Sequence, residues 1–289
     1  MALWQNVLLA LCTVSMAQEE CEVSFVQTQT RLRRSKPWDD HVYWVGTHHK
    51  AGSQLLRNIM RHAFDGLGAG YSCHVHAETQ SNVTSVGSRH YCPEVPDCQI
   101  LWDNVASLAS LELARARASS RGNSSRGAHI VRNPRHMLAS SYCYHHRGQE
   151  AQSPVSHFPE ILFMGPHEGM MTLWPDTSRF IHDMAKLFED KDGVYHVRYE
   201  RLTESSASFD QQVRGLFDFL FGGLVSRSEV EVIAEAAKAE DLNREQSMTD
   251  HAEEHTNSDE CMDAALQALP SLDQSVLTQL EDLMVRLGY

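Results

Sequence analysis

What the chain lacks narrows it first. No apolar run approaches the roughly 20 residues that a membrane-spanning helix takes; the most apolar stretch, Val7 to Ala17, is far shorter. Lys and Arg number 25 against 38 Asp and Glu, a formal charge of −13, and no long basic block offsets it. That balance argues against a nucleic-acid-binding surface. There is no C-x-x-C and no H-E-x-x-H, so the strongest metal signatures are missing despite 17 histidines. No internal repeat is visible, and no linker separates two cores. One domain is expected of 289 residues that are 42% hydrophobic.

Charge is also missing from Met1–Ala17. Its apolar half ends at Ser15 and Ala17, small residues at the −3 and −1 positions of a cleavage site before Gln18, so residues 1–17 read as a signal peptide, with an uncleaved anchor as the alternative. The secretory pathway, Golgi lumen or exterior, is then the expected location. Residues 18–40 read as a polar surface leader and 41–289 as the functional domain. Removing Cys12 leaves Cys21, Cys73, Cys92, Cys98, Cys143 and Cys261, an even set that suits disulfides. The best local pair is Cys92–Cys98 across a loop with two prolines. Asn82 and Asn123 fit the glycosylation pattern.

What is present is organised around His41–Phe64. Val42-Tyr43-Trp44-Val45 is β-branched and aromatic, as a buried strand requires. Leu55, Leu56, Ile59, Met60 and Ala63 recur every three to four residues, as one face of a helix. Between them, Gly46 to Ser53 holds two glycines, a lysine and hydroxyls. A glycine-bearing loop entering a helix N-terminus offers free amides and a positive dipole end to an anion. The ordinary G-x-x-x-x-G-K-[ST] phosphate loop does not fit, because Lys50 precedes Gly52. This arrangement resembles the 5′-phosphosulfate loop of sulfotransferases, which take their sulfuryl group from 3′-phosphoadenosine 5′-phosphosulfate (PAPS).

A second stretch, Val131 to His146, strengthens that resemblance. Ala128–Val131 reads as a strand, Asn133-Pro134 breaks it, and a helix follows. Arg132 and Ser140 are therefore aimed at one end of the sheet. Arg132 followed eight residues later by Ser140 is similar to the family's 3′-phosphate motif. The chemistry stands by itself: a guanidinium forks onto phosphate oxygens and a hydroxyl adds a donor. Tyr199-Glu200-x-Leu202, read as a strand end, and the terminal Leu287-Gly288-Tyr289 are weaker echoes of the same family. The likeness runs from about residue 41 to the end.

The resemblance implies a three-layer α/β fold with a central, mainly parallel sheet of the P-loop NTPase-like sulfotransferase type. It implies PAPS as co-substrate and no metal. Lys50 would neutralise charge on the oxygen between sulfate and 5′-phosphate. The amides of Ala51, Gly52, Ser53 and Gln54, with the Ser53 hydroxyl, would hold the 5′-phosphate, although Gln54 departs from the hydroxyl residue many relatives carry there. Arg132 and Ser140 would hold the 3′-phosphate. The general base is sought among His49, His74, His76, Glu78 and Asp103. Asp103 has the best topological position, at a strand end, while His74 and His76 have the better pKa. His48, His49, His145, His146 and Arg147 suit a polar, partly cationic rim for an acidic or glycan acceptor. A carbohydrate hydroxyl is the expected acceptor. The rival readings are a nucleotide- or glycan-binding protein without a base, and a P-loop kinase or NTPase.

Overall fold

The computed structural model describes residues 36–69, 72–74, 98–148, 158–244 and 257–289. Residues 1–35, which hold the stretch read as a signal peptide and most of that read as a leader, lie outside them, as do His76, Glu78, Asn82 and Cys92. Pro37–Tyr289 forms one compact unit.

In chain order its elements are α1 (Pro37–Asp40), β1 (His41–Gly46), α2 (Ser53–Gly66), β2 (Ser72–His74), β3 (Ile100–Asp103), α3 (Leu108–Ser119), β4 (Ser124–Val131) and α4 (Pro134–His146). Then come α5 (Pro166–Glu189), β5 (Val194–Arg198), α6 (Tyr199–Thr203), α7 (Ser206–Phe221), α8 (Arg227–Ala237), α9 (Asp259–Ala268) and α10 (Gln274–Leu287). The five strands pair in parallel in the order β2-β3-β1-β4-β5. Helices cover both faces, so the fold is the three-layer α/β architecture that a buried parallel sheet demands.

β1 sits in the middle and is buried on both sides from Val42 to Gly46. Its alternate side chains divide the core. Tyr43 and Val45 join Leu56, Ile59, Met60 and Ala63 of α2 and the apolar face of α7. Val42 and Trp44 join Leu111, Ala114 and Ala118 of α3. The Trp44 indole N–H finds a partner in the buried Ser110 hydroxyl at 3.2 Å, so the bulky ring enters the core without an unpaired donor.

Several boundaries moved. β4 begins at Ser124, ahead of the Ala128 start read from the sequence, and is paired with β1 from Ser124 onward. That pairing is a long-range matter and leaves no local trace in a Ser/Gly-rich stretch. Asn123, the second residue that fits the glycosylation pattern, donates its side-chain amide to the Asp39 carbonyl at 2.9 Å. Tyr199 and Glu200 open the short helix α6 instead of ending β5.

The cysteine pairing is corrected too. Cys98 bonds Cys73, not Cys92. β2 and β3 are parallel neighbours with Cys73 opposite Leu101, which brings the Cα atoms of Cys73 and Cys98 within 6.2 Å, inside the range a disulfide bridges. Sheet adjacency chose the partner. A second bridge, Cys143–Cys261, ties α4 to α9 across a separation of 118 residues. Closing so long a loop stabilises the fold by roughly 2–5 kcal/mol.

Candidate functional site

The ends of β1, β3 and β4 converge at Gly46, Asp103 and Val131. The chain leaves β1 for β2 and β3 on one side and returns to β4 on the other. Open α/β sheets bind ligands at such a reversal, beyond the carboxyl ends of the strands.

The loop after β1 is wound tightly. Lys50, with φ of 61°, is the one non-glycine residue at positive φ among the described residues, and Gly52 has φ of 103°. A Cβ on Gly52 would lie 2.4 Å from the Tyr199 ring, so both the φ and the space require glycine there. The His48 carbonyl closes the loop, accepting from the Ala51 N–H at 3.0 Å and the Ser53 hydroxyl at 2.8 Å. Those two expected anion donors are therefore turned inward to hold the loop's shape. The amides of the first turn of α2, Ser53 and Gln54 among them, have no carbonyl one turn back to bond, and the Gln54 side chain is exposed.

Lys50 lies with its Nζ 3.3 Å above the centroid of the Tyr144 ring, a cation–π contact. Arg147 faces the same ring at 4.9 Å. His49 packs among Tyr144, His145 and Phe180, with centroids 5.6–5.9 Å apart. Burial, then the charges of Lys50 and His145, push the His49 pKa down to about 3. It is a neutral ring at pH 7 and a poor proton acceptor. His146 turns away, stacking on Tyr142 and meeting the Ile161 carbonyl at 2.9 Å.

Arg132 extends from the end of β4 and joins the two motifs. Its Nη1 donates to the Lys50 carbonyl at 2.8 Å and to the Ser140 hydroxyl at 3.4 Å. Its guanidinium lies 4.2 Å over the Tyr199 ring. Burial lowers its pKa, but an arginine remains charged. The Arg132 Nε is sealed from solvent without a partner. Ser140 is buried and also receives the Asn257 amide at 2.9 Å. Glu200 braces this corner by accepting from the Asn133 N–H at 2.8 Å and the Tyr289 hydroxyl at 2.7 Å.

His48 does not line a rim. It is fully buried, and it begins a chain of imidazoles. His48 Nε2 lies 2.9 Å from His129 Nε2, His129 Nδ1 2.9 Å from His196 Nδ1, and His196 Nε2 2.8 Å from the Asp190 carbonyl. A carbonyl only accepts, so His196 carries its proton on Nε2. Burial pushes all three pKa values down, His48 to about 3 and His196 to about 4. With one proton each, His129 must donate from Nδ1 and His48 from Nε2. Every tautomer follows from one carbonyl. The chain locks the loop residue His48 to β4 and β5.

Asp103 is buried at the end of β3. Its carbonyl accepts from the Thr47 N–H at 2.8 Å and its carboxylate from the Val105 N–H at 2.9 Å. His74 ends β2, at the sheet edge. Among the described residues, no group of three or more His, Cys, Asp or Glu is arranged to hold a metal, and no helix is long and apolar enough to cross a membrane.

Sequence reasoning brought Lys50, Gly52, Ser53, Arg132 and Ser140 to one place. It missed Asn257, the ring of Tyr144 under Lys50, and the His129–His196 chain. Asn257 stands over a hundred residues from Ser140 with no motif around it. The alternation of His129 and His196 within buried strands was the one available signal for the chain.

No protein-family model matches the chain, and no curated protein matches it in sequence. Among solved structures it is similar to a mouse sulfotransferase, SULT7A1, complexed with PAP: 12% identity, TM-score 0.38, covering 86% of this chain and 83% of that one.

Proposed function

We propose that this protein is a sulfotransferase that takes the sulfuryl group of PAPS and places it on a hydroxyl, that of a carbohydrate, in the secretory pathway. The observation that carries the reading is the 2.8 Å bond from Arg132 to the Lys50 carbonyl. It joins two anion-directed motifs into one place with two cationic poles. A ligand phosphorylated at both ends of a ribose suits two poles better than a nucleoside triphosphate does.

The residues fit that ligand. The first-turn amides of α2 offer donors for a 5′-phosphate. Arg132 and Ser140 offer a charged and a neutral donor for a 3′-phosphate. Lys50 neutralises charge that builds on the leaving oxygen, the largest single contribution expected of a site of this kind. Bound PAPS supplies the sulfuryl group and departs as the 3′,5′-bisphosphate. The acceptor oxygen forms the new O–S bond as the S–O bond to the 5′-phosphate breaks, and the acceptor proton passes to a base. Asp103, at the strand end beside β1, is assigned that role; His76 is the second candidate. No metal and no nucleic acid enters the reading.

Two features favour a sugar as acceptor. The wall of His49, Tyr144 and Phe180 beside Lys50 presents ring faces on which sugar C–H groups pack. Two disulfides suit an oxidising compartment.

Transfer of labelled sulfate from PAPS to a panel of glycans tests the proposal. Asp103→Asn keeps the contact from Val105 and removes the base, so transfer should fall about 100-fold or more with binding of adenosine 3′,5′-bisphosphate intact. Binding of that nucleotide with no transfer to any acceptor class would instead make the protein a binding module. Tighter binding of ATP would favour an NTPase.

A further inference from the structure

Asn257 meets Ser140 twice, through its main-chain carbonyl at 3.1 Å and its hydroxyl at 2.9 Å. The carbonyl of Ser140 only accepts, so the atom facing it must be the amide nitrogen. The Asn257 Oδ1 is thereby fixed on the opposite side, and it is sealed from solvent with no donor to accept from. The Ser140 hydroxyl receives two donors, Arg132 Nη1 at 3.4 Å and Asn257 Nδ2 at 2.9 Å. Both of its lone pairs are then used, and its own O–H must point to an acceptor. Arg132 Nε is a third unfilled position, a buried donor without an acceptor.

One small region therefore contains two donors seeking an oxygen and one acceptor seeking a hydroxyl. Leaving such groups buried and unmade is costly, and a free anion satisfies only the donors. A ligand that satisfies all three carries an anionic oxygen and a hydroxyl on adjacent atoms. We propose that Asn257 is a specificity residue that reads the ribose 2′-hydroxyl beside the 3′-phosphate, its Oδ1 accepting from the hydroxyl while Arg132 Nε and Ser140 donate to the phosphate. This rests on the donor assignment above and names the part of the donor that this pole distinguishes. Cys143 of α4 and Cys261 of α9 are bonded, and that bridge holds the segment carrying Asn257 against α4. The ligand meets these groups with the Asn257–Ser140 bonds kept, since those bonds are what aim Oδ1.

Three commercial probes decide the matter by calorimetry on the disulfide-intact protein: adenosine 3′,5′-bisphosphate, its 2′-deoxy analogue, and adenosine 2′,5′-bisphosphate. Losing the hydroxyl, or exchanging it with the phosphate, should weaken binding about tenfold, as expected when a buried acceptor is left empty. In Asn257→Ala the 3′,5′-bisphosphate and its deoxy analogue should bind alike. Equal binding of both by the wild type overturns the proposal and leaves the donor assignment standing, a result that needs no variant to fold. A preference that survives in Asn257→Ala overturns it as well. If none of the three binds more tightly than ATP, the donor assignment itself fails.

Discussion

At the Lys50 pole of the candidate site the cation rests on an aromatic face, and the loop behind it is tied to the sheet by three neutral imidazoles. At the Arg132 pole the cation is held by directional hydrogen bonds, and a disulfide fixes the segment that covers it. A cation over a ring is attracted with little directional demand, so Lys50 can follow charge as it moves during a reaction. A bonded, half-sealed guanidinium cannot, and it suits a group whose charge stays constant. The two poles thus read as one for the transition state and one for the ground state. They also fail under different conditions, because one brace titrates and the other is reducible.

The comparison breaks most directly at Lys50. Lys50→Ala should lower kcat roughly 10²–10³-fold while affinity for adenosine 3′,5′-bisphosphate changes far less, since only charge developing in the transition state is left unsupported. Similar losses in kcat and affinity would erase the distinction between the poles. Arg132→Ala should do the converse, weakening that nucleotide about 100-fold as two charge-assisted contacts are lost, measurable by calorimetry.

Acid sharpens the contrast next. The three histidines have folded-state pKa values below the ordinary 6.5, because burial disfavours their charged form. The unfolded chain then binds more protons at low pH. Stability is fully present above about pH 6.5 and declines as pH falls toward about 4, where His196 itself titrates. That histidine alone accounts for about 3 kcal/mol at 1.36 kcal/mol per unit. Thermal melts from pH 7.5 to 4.5 should show the decline, and a flat profile would mean that the chain already carries a proton. The smallest effect belongs to the other brace. Cys261→Ser should leave the Lys50 pole unchanged and weaken nucleotide affinity roughly two- to fivefold, since Asn257 and α4 keep their other contacts. A drop in kcat at saturating donor would show that the poles are coupled through this bridge.

Much of the candidate site's layout was legible in the sequence because it depends on neighbours in the chain. Gly52 is required by a left-handed turn two residues after Lys50, and the apolar spacing of Leu56, Ile59 and Met60 places the helix that follows. Arg132 and Ser140 face one another because a strand end and the second turn of the next helix must, once Pro134 starts that helix. Local order also misled. Ser53 looked like an anion donor but bonds the His48 carbonyl, and His48 looked like a surface residue but is buried among histidines of two other strands.

What the sequence determined alone was the strand–loop–helix and the second motif, both set by periodicity and backbone sterics over a few residues; the parallel α/β class followed from the family resemblance that those motifs carry. Only the tertiary structure decided that Cys98 bonds Cys73, that Asn257 reaches Ser140, and that His48, His129 and His196 form one chain. Each of these depends on which strands and helices become neighbours. That choice is made by burying apolar faces over the whole chain, and it leaves no mark at the residues it brings together.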